Sequence, residues 1–134
     1  MLPFFKIIAS VLILFVILLA SGFLFTRWQA AKIAARYPNI GQLTDVGGFR
    51  INSYHWPRPV TVDLPPLVFV HGASGNLRDP MQAFFEPLKG RTEMLFVDRP
   101  GHGYSERGGP DNLTPDGQAD AIARLMQAKG IARA

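Results

Sequence analysis

Two short segments carry residues suited to chemistry. The first is Phe69-Val70-His71-Gly72-Ala73-Ser74-Gly75, at the end of an apolar run. Glycines there let the backbone turn sharply and approach a substrate. Backbone N–H groups at the end of a strand can face an oxygen that gains negative charge as a bond is cleaved. The second is Val97-Asp98-Arg99-Pro100-Gly101-His102-Gly103-Tyr104-Ser105, after the next apolar run. Asp98 can accept hydrogen bonds from loop N–H groups, and Gly101 and Gly103 permit positive φ.

Other reactive groups are less well placed. A serine nucleophile on a strained strand-to-helix elbow sits in G-x-S-x-G. None of the five serines does. Ser10 and Ser21 fall in a long apolar run, and Ser53 in a predicted hairpin. Ser74 stands in Gly72-Ala73-Ser74-Gly75-Asn76 and Ser105 in Gly103-Tyr104-Ser105-Glu106-Arg107, both without the final glycine. His55, between Tyr54 and Trp56, reads as a surface or packing residue. His71 reads as a loop-orienting residue and His102 as part of a glycine-rich turn. His71, Asp98 and His102 lack metal-ligand spacing, so no metal is expected. No G-K-[ST] follows the glycines, so a phosphate cradle is not expected, nor any cofactor. The absence of cysteine removes disulfides, thiolate metal sites and a Cys nucleophile.

The elements that must position these loops can be read from the pattern around them. Gln42 to Val46 and Phe49 to Trp56 form a predicted hairpin about Gly47-Gly48. Along the second strand, Phe49, Ile51, Ser53 and His55 share one side, and Arg50, Asn52, Tyr54 and Trp56 the other. Leu67 to Val70 and Met94 to Val97 are continuous apolar runs, as expected of strands buried on both faces. Between them Met81 to Leu88 reads as a helix with Asp79 as N-cap, Pro80 at the first position and Gly90 beyond its end. A last helix starts at Thr114-Pro115-Asp116 and stops at Gly130. Its predicted buried stripe is Ala119, Ile122, Ala123 and Met126, with Leu125 beside it. Hairpin, strand, helix, strand, helix implies an α/β fold with parallel strands and crossover helices.

Taken together, the two loops resemble the N-terminal half of an α/β-hydrolase. That family has H-G after its third strand, here His71-Gly72, and D-x-x-G-x-G-x-S after its fourth, here Asp98 to Ser105. The resemblance covers residues 39–134. It implies an oxyanion-hole donor at the Ala73 backbone N–H, supported by His71 and Gly72. It implies a mainly structural loop built by Asp98, Gly101, His102, Gly103 and Ser105. It implies a β-hairpin followed by parallel β-α-β-α, the first half of the family's sheet, with the third strand's outer edge left open. Nucleophile, acid and base follow later in the family, so the expected chain lacks all three and is inactive alone. The nucleophile is Ser for esters or Asp for epoxides and halides. The substrate is a small molecule of undefined class, because esterases, epoxide hydrolases, haloalkane dehalogenases and C–C hydrolases share these loops. The alternative is a non-catalytic membrane-anchored remnant or binding module.

Charge and hydropathy define the rest. There are 14 Lys+Arg against 10 Asp+Glu in 134 residues, a net charge of +4. Lys6, Arg27, Lys32 and Arg36 supply that whole excess, and the first 36 residues contain no acid. No basic stripe fit for a phosphate backbone remains, so no nucleic-acid partner is expected. Ile7 to Phe25 is uncharged and apolar on every face. As a helix it spans about 28 Å, close to the hydrocarbon thickness of about 30 Å. Residues 1–26 are therefore expected to be a single-pass transmembrane anchor in a lipid bilayer, with 27–38 a juxtamembrane helical linker and 39–134 the incomplete hydrolase domain. The alternative is export after signal cleavage at Ala20-Ser21-Gly22. The side of the membrane facing the domain is left open by the flanking charges.

Overall fold

The computed structural model describes residues 2–134. The first position of the 1–26 anchor lies outside the described residues. The chain divides into two compact units, Met1–Asn39 and Ile40–Ala134.

The first unit is one helix, α1 (Leu2–Arg36), which passes without a break through the 26/27 boundary. Its 35 residues reach about 52 Å. Side chains from Pro3 to Arg36 are exposed. Two hydroxyls within it are satisfied inside the helix: Ser21 Oγ donates to Ile17 O at 2.7 Å and Thr26 Oγ1 to Gly22 O at 2.8 Å. Length and composition make α1 able to cross a membrane, and a signal sequence has the same properties.

The second unit holds strands β1 (Gln42–Asp45), β2 (Arg50–Trp56), β3 (Leu67–Val70) and β4 (Met94–Val97), with helices α2 (Arg78–Leu88) and α3 (Pro115–Ala128). A short 3-10 turn, Pro110–Leu113, precedes α3. Gly47 and Gly48 turn the β1–β2 hairpin with φ of +104° and +91°. Their N–H groups donate to Asp45 Oδ1 and hold its carboxyl below the usual aspartate range. The sheet is mixed, in the order β1-β2-β4-β3. β1–β2 and β2–β4 are antiparallel, and β3–β4 is parallel.

Both faces of the sheet are covered. On one, Ile51, Leu95 and Val97 pack with Ala121 and Leu125 of α3. On the other, Tyr54, Trp56, Phe69, Met94 and Phe96 pack with Met81, Phe85 and Leu88 of α2. Phe69 stacks on Phe96 with ring centroids 4.6 Å apart. Two-sided burial explains why β4 is an unbroken apolar run, buried at all four positions.

Three local expectations are corrected. β3 is an edge strand, so its side chains are only half-covered and Val70 is 46% exposed. Asp79 does not cap α2. The helix begins at Arg78 with no side-chain cap, and the Asp79 carboxylate instead accepts from Asn76 N at 3.0 Å. The first helical N–H, of Arg78, goes to Asn76 Oδ1 at 2.9 Å, and the preceding Leu77 N–H goes to Asp98 Oδ1 at 2.7 Å. In α3 the buried residues are Ala121 and Leu125, with Ile122 and Met126 beside them, while Ala119 and Ala123 are exposed. The helical stripe is rotated from the predicted one because alanine, nearly neutral in hydrophobicity, fits either face. Thr114 does cap this helix, its hydroxyl accepting from Gly117 N at 3.2 Å.

Candidate functional site

Register places the two loops side by side. Val70 pairs with Val97, so His71 and Asp98 leave the carboxyl ends of adjacent parallel strands. Ser53 pairs with Val97 on the other side, which sets Asn52 against Asp98. The Asp98 N–H accordingly donates to Asn52 O at 3.0 Å. In open α/β sheets, ligands bind beyond the carboxyl ends of the strands.

Asp98 is 1% exposed and accepts three hydrogen bonds. Leu77 N donates to Oδ1 at 2.7 Å, while Tyr104 N and Asn52 Nδ2 donate to Oδ2 at 3.0 and 2.8 Å. One carboxylate thus ties together the start of α2, the second loop and the hairpin. Gly103 crosses directly over it with φ +53°, and a Cβ there would overlap the carboxylate. Gly101 also has positive φ, +75°.

Ser105 is used up in structure. Its hydroxyl donates to Asp98 O at 2.7 Å and accepts from Asn52 N at 2.8 Å. Next to it, Glu106 receives Arg50 through the guanidinium at 2.6 Å and the backbone N–H at 2.8 Å. The guanidinium bond, then the backbone bond, hold the Glu106 carboxyl below its ordinary range.

The first loop is braced by the second. Arg99 N donates to His71 Nε2 at 3.1 Å, which leaves the ring proton on Nδ1 to meet Gly72 O at 2.7 Å. Arg99 Nη2 also donates to Gly72 O at 3.1 Å. His102 Nε2 lies 3.2 Å from Ala73 O, and its Nδ1 lies 3.1 Å from Pro100 O. The His71 and His102 rings are 5.3 Å apart. Arg99 Nη2 also lies 3.4 Å from His102 Nε2 and can only donate, so the His102 ring proton sits on Nδ1 and goes to Pro100 O. The Gly72 carbonyl is therefore held toward the second loop. No peptide here is cis, and in a trans peptide the N–H points opposite to the C=O. The Ala73 N–H is accordingly turned away from the second loop. Ala73 and Ser74 are exposed.

A family model for the alpha/beta hydrolase fold matches residues 65–134. The chain belongs to the alpha/beta hydrolase fold family. Among solved structures, this family member is similar to a single-site mutant of a meta-cleavage product hydrolase, CumD, with a TM-score of 0.57 and 22% identity. The alignment covers 72% of this chain and 34% of that one, so the chain spans about a third of that enzyme's length. At this identity the likeness is one of fold. No curated protein matches.

Asn52 and Leu77 were not singled out as site residues by sequence. An Asn in an alternating strand looks solvent-facing, and the Leu77 contribution is a backbone N–H that no pattern marks. Arg99 stood in the motif without a role. The other hydrolase-like candidates are scattered: His55 pairs with Glu93 at 2.7 Å, and Ser53 is buried in β2. Among the described residues no group of three or more His, Cys, Asp or Glu is placed to hold a metal ion.

Proposed function

We propose that this chain is the N-terminal part of a membrane-anchored α/β-hydrolase. It supplies the anchor, four sheet strands and one half of the oxyanion hole, and its nucleophile, acid and base come from residues outside positions 1–134. The observation that carries the reading is the bracing of the Gly72 carbonyl by Arg99. With the Gly72 carbonyl held on one side, the Ala73 N–H of the same peptide is left for an oxygen on the other. A nucleophile attacking an ester carbonyl pushes the electron pair onto that oxygen. A donor aimed at it is worth about 3 kcal/mol in the transition state. Collapse expels the alcohol, and water then hydrolyses the covalent intermediate. An aspartate nucleophile would open an epoxide or displace a halide first, and the same N–H would serve the hydrolysis of the resulting ester.

Two facts support the view that the machinery is shared with further residues. The outer edge of β3 carries no strand among the described residues. The side chain best placed to pass for a nucleophile by motif, Ser105, has its hydroxyl engaged twice. The anchor reading is supported by the exposed apolar length of α1 and the internal satisfaction of Ser21 and Thr26.

Reading the encoding DNA beyond Ala134 tests the enzymatic part. A continuing frame with G-x-S-x-G, or its Asp counterpart, supports it. A stop codon, or turnover of p-nitrophenyl butyrate by the 134-residue chain alone, overturns it. The anchor is tested by alkaline carbonate extraction with intact-mass measurement. Retention in the membrane at full mass supports it, whereas loss of the first twenty or so residues indicates export after cleavage.

A further inference from the structure

The end of α1 differs from its apolar body. From Thr26 onward it carries Arg27, Lys32 and Arg36, all exposed, with no acid in the first 36 residues to neutralise them. Each cation rests on an aromatic ring. Lys32 Nζ lies 4.3 Å from the Trp28 ring centroid, Arg36 Cζ lies 5.6 Å from Tyr37, and Arg27 Cζ lies 5.7 Å from Phe23. Trp28, Lys32 and Arg36 follow one another at intervals of four residues and so share one stripe of the helix.

Depth makes this arrangement specific. At about 1.5 Å per residue, the three cations stand about 3, 10 and 16 Å beyond Phe25. The headgroup layer is about 5–8 Å thick on each side of the hydrocarbon, and the Debye length adds about 8–10 Å. All three charges thus lie within reach of the phosphates of one leaflet, while Trp28 sits at the depth where indoles concentrate. Compensation of the helix dipole would account for Arg36 in the last turn. It does not account for Arg27, or for a lysine laid over a tryptophan one turn earlier.

We infer that residues 26–37 form a binding band for the headgroups of an anionic phospholipid leaflet. Arg27, Lys32 and Arg36 supply the charge, and Trp28 fixes the depth. The inference rests on reading α1 as a retained anchor. Charge complementarity selects the occupant: three uncompensated cations at headgroup level meet the negative phosphates and carboxylates of an acidic lipid. One such charge favours an anionic surface by about fivefold.

The test uses the full chain carrying Trp56→Phe, so that Trp28 is the sole indole, in phosphatidylcholine vesicles. Trace dansyl-phosphatidylserine or dansyl-phosphatidylcholine serves as energy acceptor. The expected result is at least a fivefold enrichment of the serine lipid around Trp28, shrinking as salt is raised. The enrichment should vanish in the triple variant Arg27→Gln, Lys32→Gln, Arg36→Gln. Equal transfer to both probes overturns the inference, as does a preference that survives in the triple variant. Should Trp56→Phe perturb folding, the lipid retained by the unmutated chain from a mixed phosphatidylcholine–phosphatidylserine bilayer, weighed by mass spectrometry, answers the same question. Flotation with neutral phosphatidylcholine vesicles after a carbonate wash separates the two readings. A chain that fails to float loses the anchor. A chain that floats without lipid preference loses only the headgroup band.

Discussion

The amide of Asn52 donates to Oδ2 of Asp98 at 2.8 Å, and both side chains are essentially inaccessible to water. This single bond joins the antiparallel part of the sheet to the loop that follows its parallel part. Replacing Asp98 by Ala removes the acceptor of two buried donors, the Leu77 N–H and the Asn52 amide, and of the part-buried Tyr104 N–H. Each buried group costs about 1–3 kcal/mol, so a loss of at least about 2 kcal/mol is expected in urea unfolding. Asn52→Ala should cost about 1–3 kcal/mol. A double-mutant cycle should return a coupling of about 0.5–3 kcal/mol between the pair; additive losses would show that the bond contributes nothing.

Gly103 and Gly72 should respond oppositely to a methyl group. At Gly103 an alanine meets both a positive φ and the Asp98 carboxylate, and a loss of more than about 2 kcal/mol is expected. At Gly72 nothing lies within 4 Å of the added Cβ, and φ is ordinary. Gly72→Ala should leave the melting temperature nearly unchanged.

Ser105→Ala separates structure from chemistry. It removes a donor to Asp98 O and an acceptor for Asn52 N, so unfolding free energy should drop by about 1–3 kcal/mol. Labelling by a fluorophosphonate probe should be absent both before and after the change. Labelling that disappears with Ser105 would assign it the nucleophile role instead.

The Arg50–Glu106 pair sets a pH dependence. Arg50 lowers the Glu106 carboxyl, so the unfolded chain takes up the proton more readily than the folded one. The pair's contribution is fully present above the ordinary glutamate value of 4.5 and fades as pH falls through the lowered value. Wild type and Glu106→Gln should differ in melting temperature near neutral pH and converge as pH falls through the lowered Glu106 value. The pair is exposed, so the difference is expected to be small.

Much of this was visible in the residue pattern. The hairpin glycines, the two apolar strands, the Thr114 cap and both loops follow from local chemistry, because turns, caps and two-sided burial each leave a short-range signature. The placement of α2's first residue and the buried face of α3 did not. Asp79 satisfied the local rule for an N-cap, but the helix starts at Arg78, whose N–H goes to Asn76 Oδ1, while Asp98 fixes the preceding Leu77 N–H from across the sheet. Ala119 and Ala123 satisfied the helical period, but the facing residues Leu95 and Val97 select Ala121 and Leu125.

By itself the sequence determined an α/β-hydrolase-like element order, an apolar N-terminal helix and the His71 and Asp98 loops, since these depend on neighbours a few residues apart. Tertiary structure alone decided that β4 pairs between β2 and β3. It also decided that Asn52 meets Asp98 from 46 positions away, and that Arg99 holds the carbonyl of Gly72. Those relationships come from strand order and register. A one-residue slip would turn every side chain of a strand to the other face, and only the packed sheet selects one register.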